Sequence, residues 1–142
     1  MELLFVYGSL KQGFVNEHVN TGQRIDGRYR TCIPYPMFLL GEGEVPCVVA
    51  APGSGHCVVG EVYRVSADDL HRMDRLERVG EADGYERIVV DVERFDVEPA
   101  QRLSAFVYVK REHAIGPGDP RIGPLTEYRH EHATNFRWKG AE

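Results

Sequence analysis

Two groups of residues in this sequence have the types and spacing to do chemistry together. The first centres on Glu77. Residues 66–79 carry a helical pattern in which Leu70, Met73 and Leu76 form an apolar stripe. At about 100° per residue, Glu77 falls about 20° from Leu70 and about 40° from Met73, whereas Arg72, Arg75 and Arg78 lie well off that face. A carboxylate thus stands where the pattern calls for leucine. Burial disfavours its ionised form, so it must be paired or protonated, and its pKa rises toward the range a general base needs near neutral pH. The competing reading is a glutamate that pairs with an arginine or marks a fraying helix end. The second group is the turn Tyr7-Gly8-Ser9-Leu10, which ends an apolar run from Leu3 to Val6. Successive amides at the end of a buried strand can hold a carboxylate or the oxygen of a polarised carbonyl, although the same residues would also make an ordinary strand-to-loop turn.

Other arrangements are weaker. Gly8-Ser9-Leu10-Lys11 lacks the spacing and the Lys-Ser/Thr ending of a phosphate loop, and Ser9 is in no G-x-S-x-G elbow. Ser9 could join any of six histidines in a hydrolytic arrangement, but no spacing selects one. His130-Glu131-His132 has no third ligand nearby, so the reading is a solvated tail and no metal site. Glu77 with Glu61 or Asp74 could form a carboxylate pair of the glycosidase kind, without the aromatic platforms sugars favour. Pro34 and Pro36 hold Tyr35 extended, so that its ring is either presented to a pocket or packed under a loop.

The elements that must position these residues read as short strands around one helix. Leu3 to Val6 has the continuous apolar run of a strand buried on both faces. Asn16 to Val19 suggests a helical turn. Strands are expected over residues 24–32, with Ile25, Gly27, Tyr29 and Thr31 on one side, and over 37–40, 47–51 and 56–65, separated by glycine-rich turns. Glycine at position 60 leaves room for a close neighbour or a ligand. Ser66 with Asp69 has capping-box spacing. Tyr85 to Phe95 is a strand with one wet face, and residues 102–110 form a central strand, apolar or aromatic on both sides. From Ile115 onward the chain reads as loop, with one short polar helix over 125–136 before a free end.

With 142 residues, 42% hydrophobic, the chain is expected to form a single domain over 1–142 with one continuous core. A net charge of -5 argues against a nucleic-acid footprint, and no apolar run has the length of a membrane span. The expected compartment is the cytoplasm. Cys32, Cys47 and Cys57 are odd in number and widely spaced, consistent with reduced core residues. A small-molecule partner is the expectation that remains.

Read in order, Tyr7-Gly8-Ser9-Leu10-Lys11-Gln12-Gly13, Pro34-Tyr35-Pro36, Gly60-Glu61-Val62-Tyr63, Asp74-Arg75-Leu76-Glu77 and Tyr85-Glu86-Arg87 resemble the γ-glutamylcyclotransferase-like family. The likeness is to its γ-glutamylamine cyclotransferase and AIG2-like branch, and it covers about residues 1–110. It implies an α+β fold, a small mixed β-barrel flanked by a few helices. It implies an enzyme that cyclises a γ-glutamyl amine or γ-glutamylated metabolite to 5-oxoproline, with no metal or cofactor. Glu77 takes the catalytic position, and Tyr7, Gly8, Ser9, Leu10, Tyr35, Tyr85 and Tyr108 surround the substrate. A pocket of the same fold that binds such a ligand without turning it over is the alternative. Leu76 and Arg78 depart from the Phe-Glu-Gly that often surrounds the family's glutamate, and the tail after Lys110 matches nothing in the resemblance.

Overall fold

The computed structural model describes residues 1–116 and 118–136. Pro117 and residues 137–142, where the sequence suggests loop and a free chain end, lie outside the described residues. Strands β1 (Glu2–Val6), β2 (Gln23–Thr31), β5 (Val59–Val65), β6 (Glu86–Arg94) and β7 (Gln101–Val109) close a barrel in the order β1-β5-β2-β6-β7. It is mixed because β1 runs antiparallel to β5 but parallel to β7, pairing Leu4 with Phe106. A second sheet, β4-β3-β8, is built from β3 (Met37–Leu40), β4 (Val45–Val48) and β8 (Arg121–Ile122). One helix, α1 (Ala67–Leu76), follows β5. The α+β mixed barrel expected from the sequence is the fold observed.

The continuous apolar run of β1 is explained by what lies on its two sides. Phe5 belongs to a core cluster with Val62, Val90, Val92, Ala105 and Val107, which fills the barrel and reaches the second sheet through Met37, Leu39 and Val48. Leu4 and Val6 belong to another cluster, with Tyr63, Val65 and Tyr108, that receives Leu70 and Met73 of α1. The alternation of β7 divides the same way: Ala105, Val107 and Val109 point to the first cluster and Tyr108 to the second. Burying Leu70 and Met73 is worth about 1.5–3 kcal/mol each, which docks the helix on the outside of the barrel.

Several boundaries differ from the sequence reading. Ser66 caps α1 through a reciprocal capping box with Asp69, as its spacing suggests. The helix ends at Leu76, three residues before the expected Val79. Arg78 adopts a left-handed conformation, φ 56°, with Arg78 N–H donating to Arg75 O and Val79 N–H to Asp74 O. This is a Schellman termination with arginine where glycine is usual, so composition gave no stop signal. In β2 the alternation from Ile25 to Thr31 is interrupted by a register shift between Ile25 and Tyr29. β4 starts at Val45 instead of Cys47, and Val49 bridges to Lys110 beyond it. β5 is shorter than expected, with His56 bridging to Tyr35.

The largest correction is the C-terminal segment. Instead of loop, Arg121–Ile122 pairs with Leu39 and Leu40 of β3, and Leu125 N–H then donates to Met37 O. Val59 N–H donates to Thr126 O, and Tyr128 is wholly buried in the core. Only His130–Ala133 forms a 3-10 turn within the stretch expected to be helical. The strap is tied to the first loop by Lys11, 4% exposed, whose Nζ donates to Tyr128 O at 2.5 Å, and by His130 stacked on Phe14.

At Gly60 β5 is packed tightly against β1. A Cβ there would lie 2.4 Å from Val6 O and 2.7 Å from the Phe5 ring, so the open space belongs to a neighbouring strand and not to a ligand. Overpacking of this kind typically costs about 1–3 kcal/mol. Gly60→Ala is expected to fall at the upper end of that range, because backbone cannot rotate away, as read from the urea midpoint of unfolding.

Candidate active site

The end of β1 and the end of α1 meet at one cavity. It has a volume of about 50 Å³ and is walled by Phe5 to Leu10 on one side and by Val45, Pro46, Glu77, Tyr85 and Tyr108 on the other. Outside it lies a larger cleft of about 760 Å³, lined among others by Glu42, Arg78, Asp83, Lys110 and Asp119. Val45, Glu77 and Tyr85 line both, which puts the Glu77 carboxylate at the junction.

Termination of α1 delivers Glu77 there. As C-cap it still donates its N–H to Met73 O, while its own carbonyl accepts from Tyr85 N–H at 3.0 Å. The intervening loop is closed by Arg78, whose guanidinium meets Asp83 at 3.0 Å. Glu77 and Tyr85 are therefore held side by side by backbone. Glu77 itself is half-buried, and its carboxylate has neither hydrogen-bond donor nor ion-pair partner among the described residues. Burial pushes this carboxyl from its ordinary 4.5 up to about 7, against a smaller downward pull from the Lys110 ammonium.

The turn opposite is equally defined. Lys11 N–H donates to Gly8 O, closing a four-residue turn, and Asn16 braces it from outside: its amide side chain donates to Ser9 Oγ and its backbone N–H to Ser9 O, both at 3.0 Å. Gly8 is required by Pro46, whose Cγ would lie 2.8 Å from any Cβ at that position. The amides of Gly8, Ser9 and Leu10 have no acceptor among the described residues, so they are available to an oxygen in the cavity.

The tyrosines divide by role. Tyr7 has its hydroxyl fully engaged, donating to Tyr108 O at 2.8 Å and accepting from Val48 N–H at 3.1 Å, and so contributes its ring to the cavity wall while tying β1 to β7 and β4. Tyr108 donates to Asp74 Oδ1 at 2.8 Å, and Arg87 sits 3.3 Å from the same oxygen. Tyr85 donates to Pro46 O at 3.3 Å. Burial raises the pKa of all three, so they stay protonated. Tyr35 is not brought to this place: it is buried in the core cluster, bridged to His56, and lines neither cavity.

The possible second carboxylates are occupied. Glu61 accepts from Gln12 N–H and the Tyr63 hydroxyl and pairs with Arg24, and Asp74 serves Tyr108 and Arg87. His130 and His132 are turned to other work, the first against Phe14 and the second accepting from Arg129 N–H. Residues the sequence reading did not single out also shape the site: Val45 and Pro46 line the cavity, and Lys110 stands at the cleft. Asp74, weighed there as a second carboxylate, instead orients Tyr108 together with Arg87. Lys110 was within reach, because strand alternation puts it on the same face as Tyr108; Pro46 carried no comparable signal.

The family model described as γ-glutamyl cyclotransferase, AIG2-like, matches residues 4–130 of this chain. The match extends through the strap and past the limit of residue 110 drawn from the short motifs. The chain is 33% identical over 123 residues to a γ-glutamylaminecyclotransferase of Rattus norvegicus, covering 80% of this chain and 81% of that one. The corresponding protein of Mus musculus is 32% identical over the same shares. The crystal structure of an AIG2-like protein from Mus musculus superposes with a TM-score of 0.82 at 30% identity, covering 98% of this chain and 95% of the other. The barrel is thus shared with an enzyme class, and this protein belongs to its AIG2-like γ-glutamyl cyclotransferase family. No helix among the described residues is long and apolar enough to cross a membrane.

The unpaired carboxylate has a measurable cost. Because the folded state binds the Glu77 proton more tightly than the unfolded chain does, its contribution to stability falls as pH rises from about 4.5 through about 7 and stays low above that. Glu77→Gln is expected to be more stable than the parent at about pH 8 by roughly 1–3 kcal/mol. That advantage should shrink toward zero near about pH 4.5, as followed by urea denaturation across the pH range.

Proposed function

We propose that this protein cyclises a γ-glutamyl amine, releasing 5-oxoproline and the free amine. The observation that carries the reading is the juxtaposition, in one cavity, of a carboxylate without a partner and three amides without acceptors among the described residues. The substrate's own α-nitrogen attacks its γ-carbonyl carbon, so the nucleophile is tethered and the entropic cost of bringing two molecules together is absent. A new C–N bond closes the five-membered ring, and the bond to the leaving nitrogen breaks.

Two protons must leave the α-ammonium and two must reach the departing amine, so there is no net exchange with solvent. Glu77 suits this shuttle, because a carboxyl with pKa near 7 both accepts and returns protons at neutral pH. The amides of Gly8, Ser9 and Leu10 are the donors for negative charge that develops on the γ-carbonyl oxygen. Tyr7, Tyr85 and Tyr108 serve as walls, with Asp74 fixing the last; Tyr35 acts through the core that supports the second sheet. Ser9 has no part as nucleophile, since its hydroxyl accepts from Asn16 and bonds no histidine among the described residues.

The outer cleft is the place for the leaving amine, and its size favours an amine with a substantial substituent. Arg78 is already matched by Asp83, and Glu42 and Asp119 outnumber the Lys110 ammonium that lines the same cleft, which disfavours the peptide carboxylate of glutathione. The names of the Rattus norvegicus and Mus musculus relatives point the same way.

Glu77→Gln keeps the shape and removes the base, so release of 5-oxoproline should drop by about 10²–10⁴-fold. Parent-like turnover by the purified, folded variant would sink the mechanism. In a mixture of equimolar γ-glutamyl-lysine, γ-glutamyl-alanine and glutathione, with each released product quantified, γ-glutamyl-lysine, whose leaving amine carries a second, compensating ammonium, should be consumed well before glutathione. The opposite order would move the substrate assignment while leaving the cyclisation intact.

A further inference from the structure

We propose that Lys110 is a positioning residue for this reaction: its ammonium, held over the Tyr85 ring at the junction of the two cavities, keeps the Glu77 carboxylate ionised and ready to accept a proton. The proposal rests on Glu77 acting as the base. Lys110 stands one residue beyond β7 and is fixed by backbone on both sides, its N–H donating to Val48 O at 3.0 Å and its carbonyl accepting from Ala50 N–H at 2.8 Å. The side chain lies along Tyr85, with Nζ 4.9 Å from the ring centroid. Tyr85 lines both cavities and is bonded through its backbone to Glu77, so the ammonium is fixed in the neighbourhood of the base without touching it.

Among the described residues, the charges around Glu77 leave this lysine alone in the role. Arg78, its chain neighbour, is paired with Asp83. Asp74, one turn earlier on the helix, takes the Tyr108 hydroxyl and Arg87. Glu42 and Asp119 also line the cleft, but the charge there that acts on Glu77 is that of Lys110. The remaining groups that face the carboxylate are neutral. Tyr7, Tyr85 and Tyr108 are held protonated by burial, and the buried Cys47 thiol is pushed up to about 12. Among the described residues Lys110 has no ion pair, and neither has Glu77.

The separation matters chemically. A direct ion pair would hold the carboxylate permanently ionised and make it a poor acid for the second half of the shuttle. Burial alone would leave it protonated and unable to start. An ammonium nearby but not in contact sets the balance between them, and its pull on Glu77 opposes the push of burial.

The test uses substrate-free protein labelled with carboxyl-13C glutamate, so that the Glu77 titration is read by NMR independently of turnover. Lys110→Met and Lys110→Gln remove the charge, and Lys110→Arg keeps it. Both neutral variants are expected to raise the Glu77 midpoint by about one pH unit, with the arginine variant close to the parent. The acid limb of kcat/KM for 5-oxoproline release should move by the same amount. At one pH unit below the parent midpoint the neutral variants would then be roughly tenfold slower, and well above it indistinguishable. An unchanged or lowered midpoint in the neutral variants overturns the proposal. A raised midpoint that the rate profile does not follow supports Lys110's hold on Glu77 and removes Glu77 as the base, which separates the two failures.

Discussion

A carboxylate kept without a partner among the described residues is the constraint on which the rest of this structure depends. Buried charge is ordinarily met by an opposite charge or by hydrogen-bond donors, and stability would improve if Glu77 were given either. The hydroxyls around it are instead engaged elsewhere. Tyr7 is spent on Tyr108 and Val48, Tyr108 on Asp74, and Tyr85 on Pro46. Each of these bonds consumes a hydroxyl that could have quenched the acid. The state of the carboxylate is therefore set by how completely the cavity's tyrosines are engaged elsewhere.

The barrel makes this possible by bringing both halves of the site to one rim. β1 lies between β5 and β7 with a packed face on each side, so the turn after it emerges from a rigid base. α1 packs on the outside of the same strands and stops where its last side chain reaches that turn. The stop is made by Arg78 in a left-handed conformation, with Asp83 holding the loop that returns as Tyr85. One local termination thus sets both the orientation of the acid and the position of the ring beside it.

Much of this was legible in the sequence because it rests on periodicity. The stripe of Leu70 and Met73 placed Glu77 on the buried side of a helix, and the apolar run of β1 identified the strand that ends at the turn. What was not legible rests on single contacts. A helix that ends on arginine has no glycine to announce it, and a two-residue strand such as Arg121–Ile122 is too short for alternation. Tyr128 is one buried aromatic in a polar segment, and only the fold shows that it fills the core. Pro34 and Pro36 promised a fixed Tyr35, and it is fixed, but in the core and away from the cavity; rigidity and direction are separate properties. The hydroxyl of Tyr7 illustrates the same limit, since a residue in the right motif turned out to brace the wall.

The pairing of the first strand with the last one of the barrel has a consequence for how the molecule comes into being. Leu4 and Phe106 are adjacent in space, and the Lys11 ammonium reaches the carbonyl of Tyr128 across 117 positions of sequence. Contacts this distant must overcome the entropy of closing nearly the whole chain before they return any stabilisation, and they make a topology slow to fold. On the ribosome, β1 and its turn would wait beside β5 with one edge unpaired until β7 had been made. No shorter nascent chain contains the cavity, since its walls come from the beginning, the middle and the far end of the barrel sequence. The cavity beside Glu77 is in this way reserved for a chain synthesised through β7.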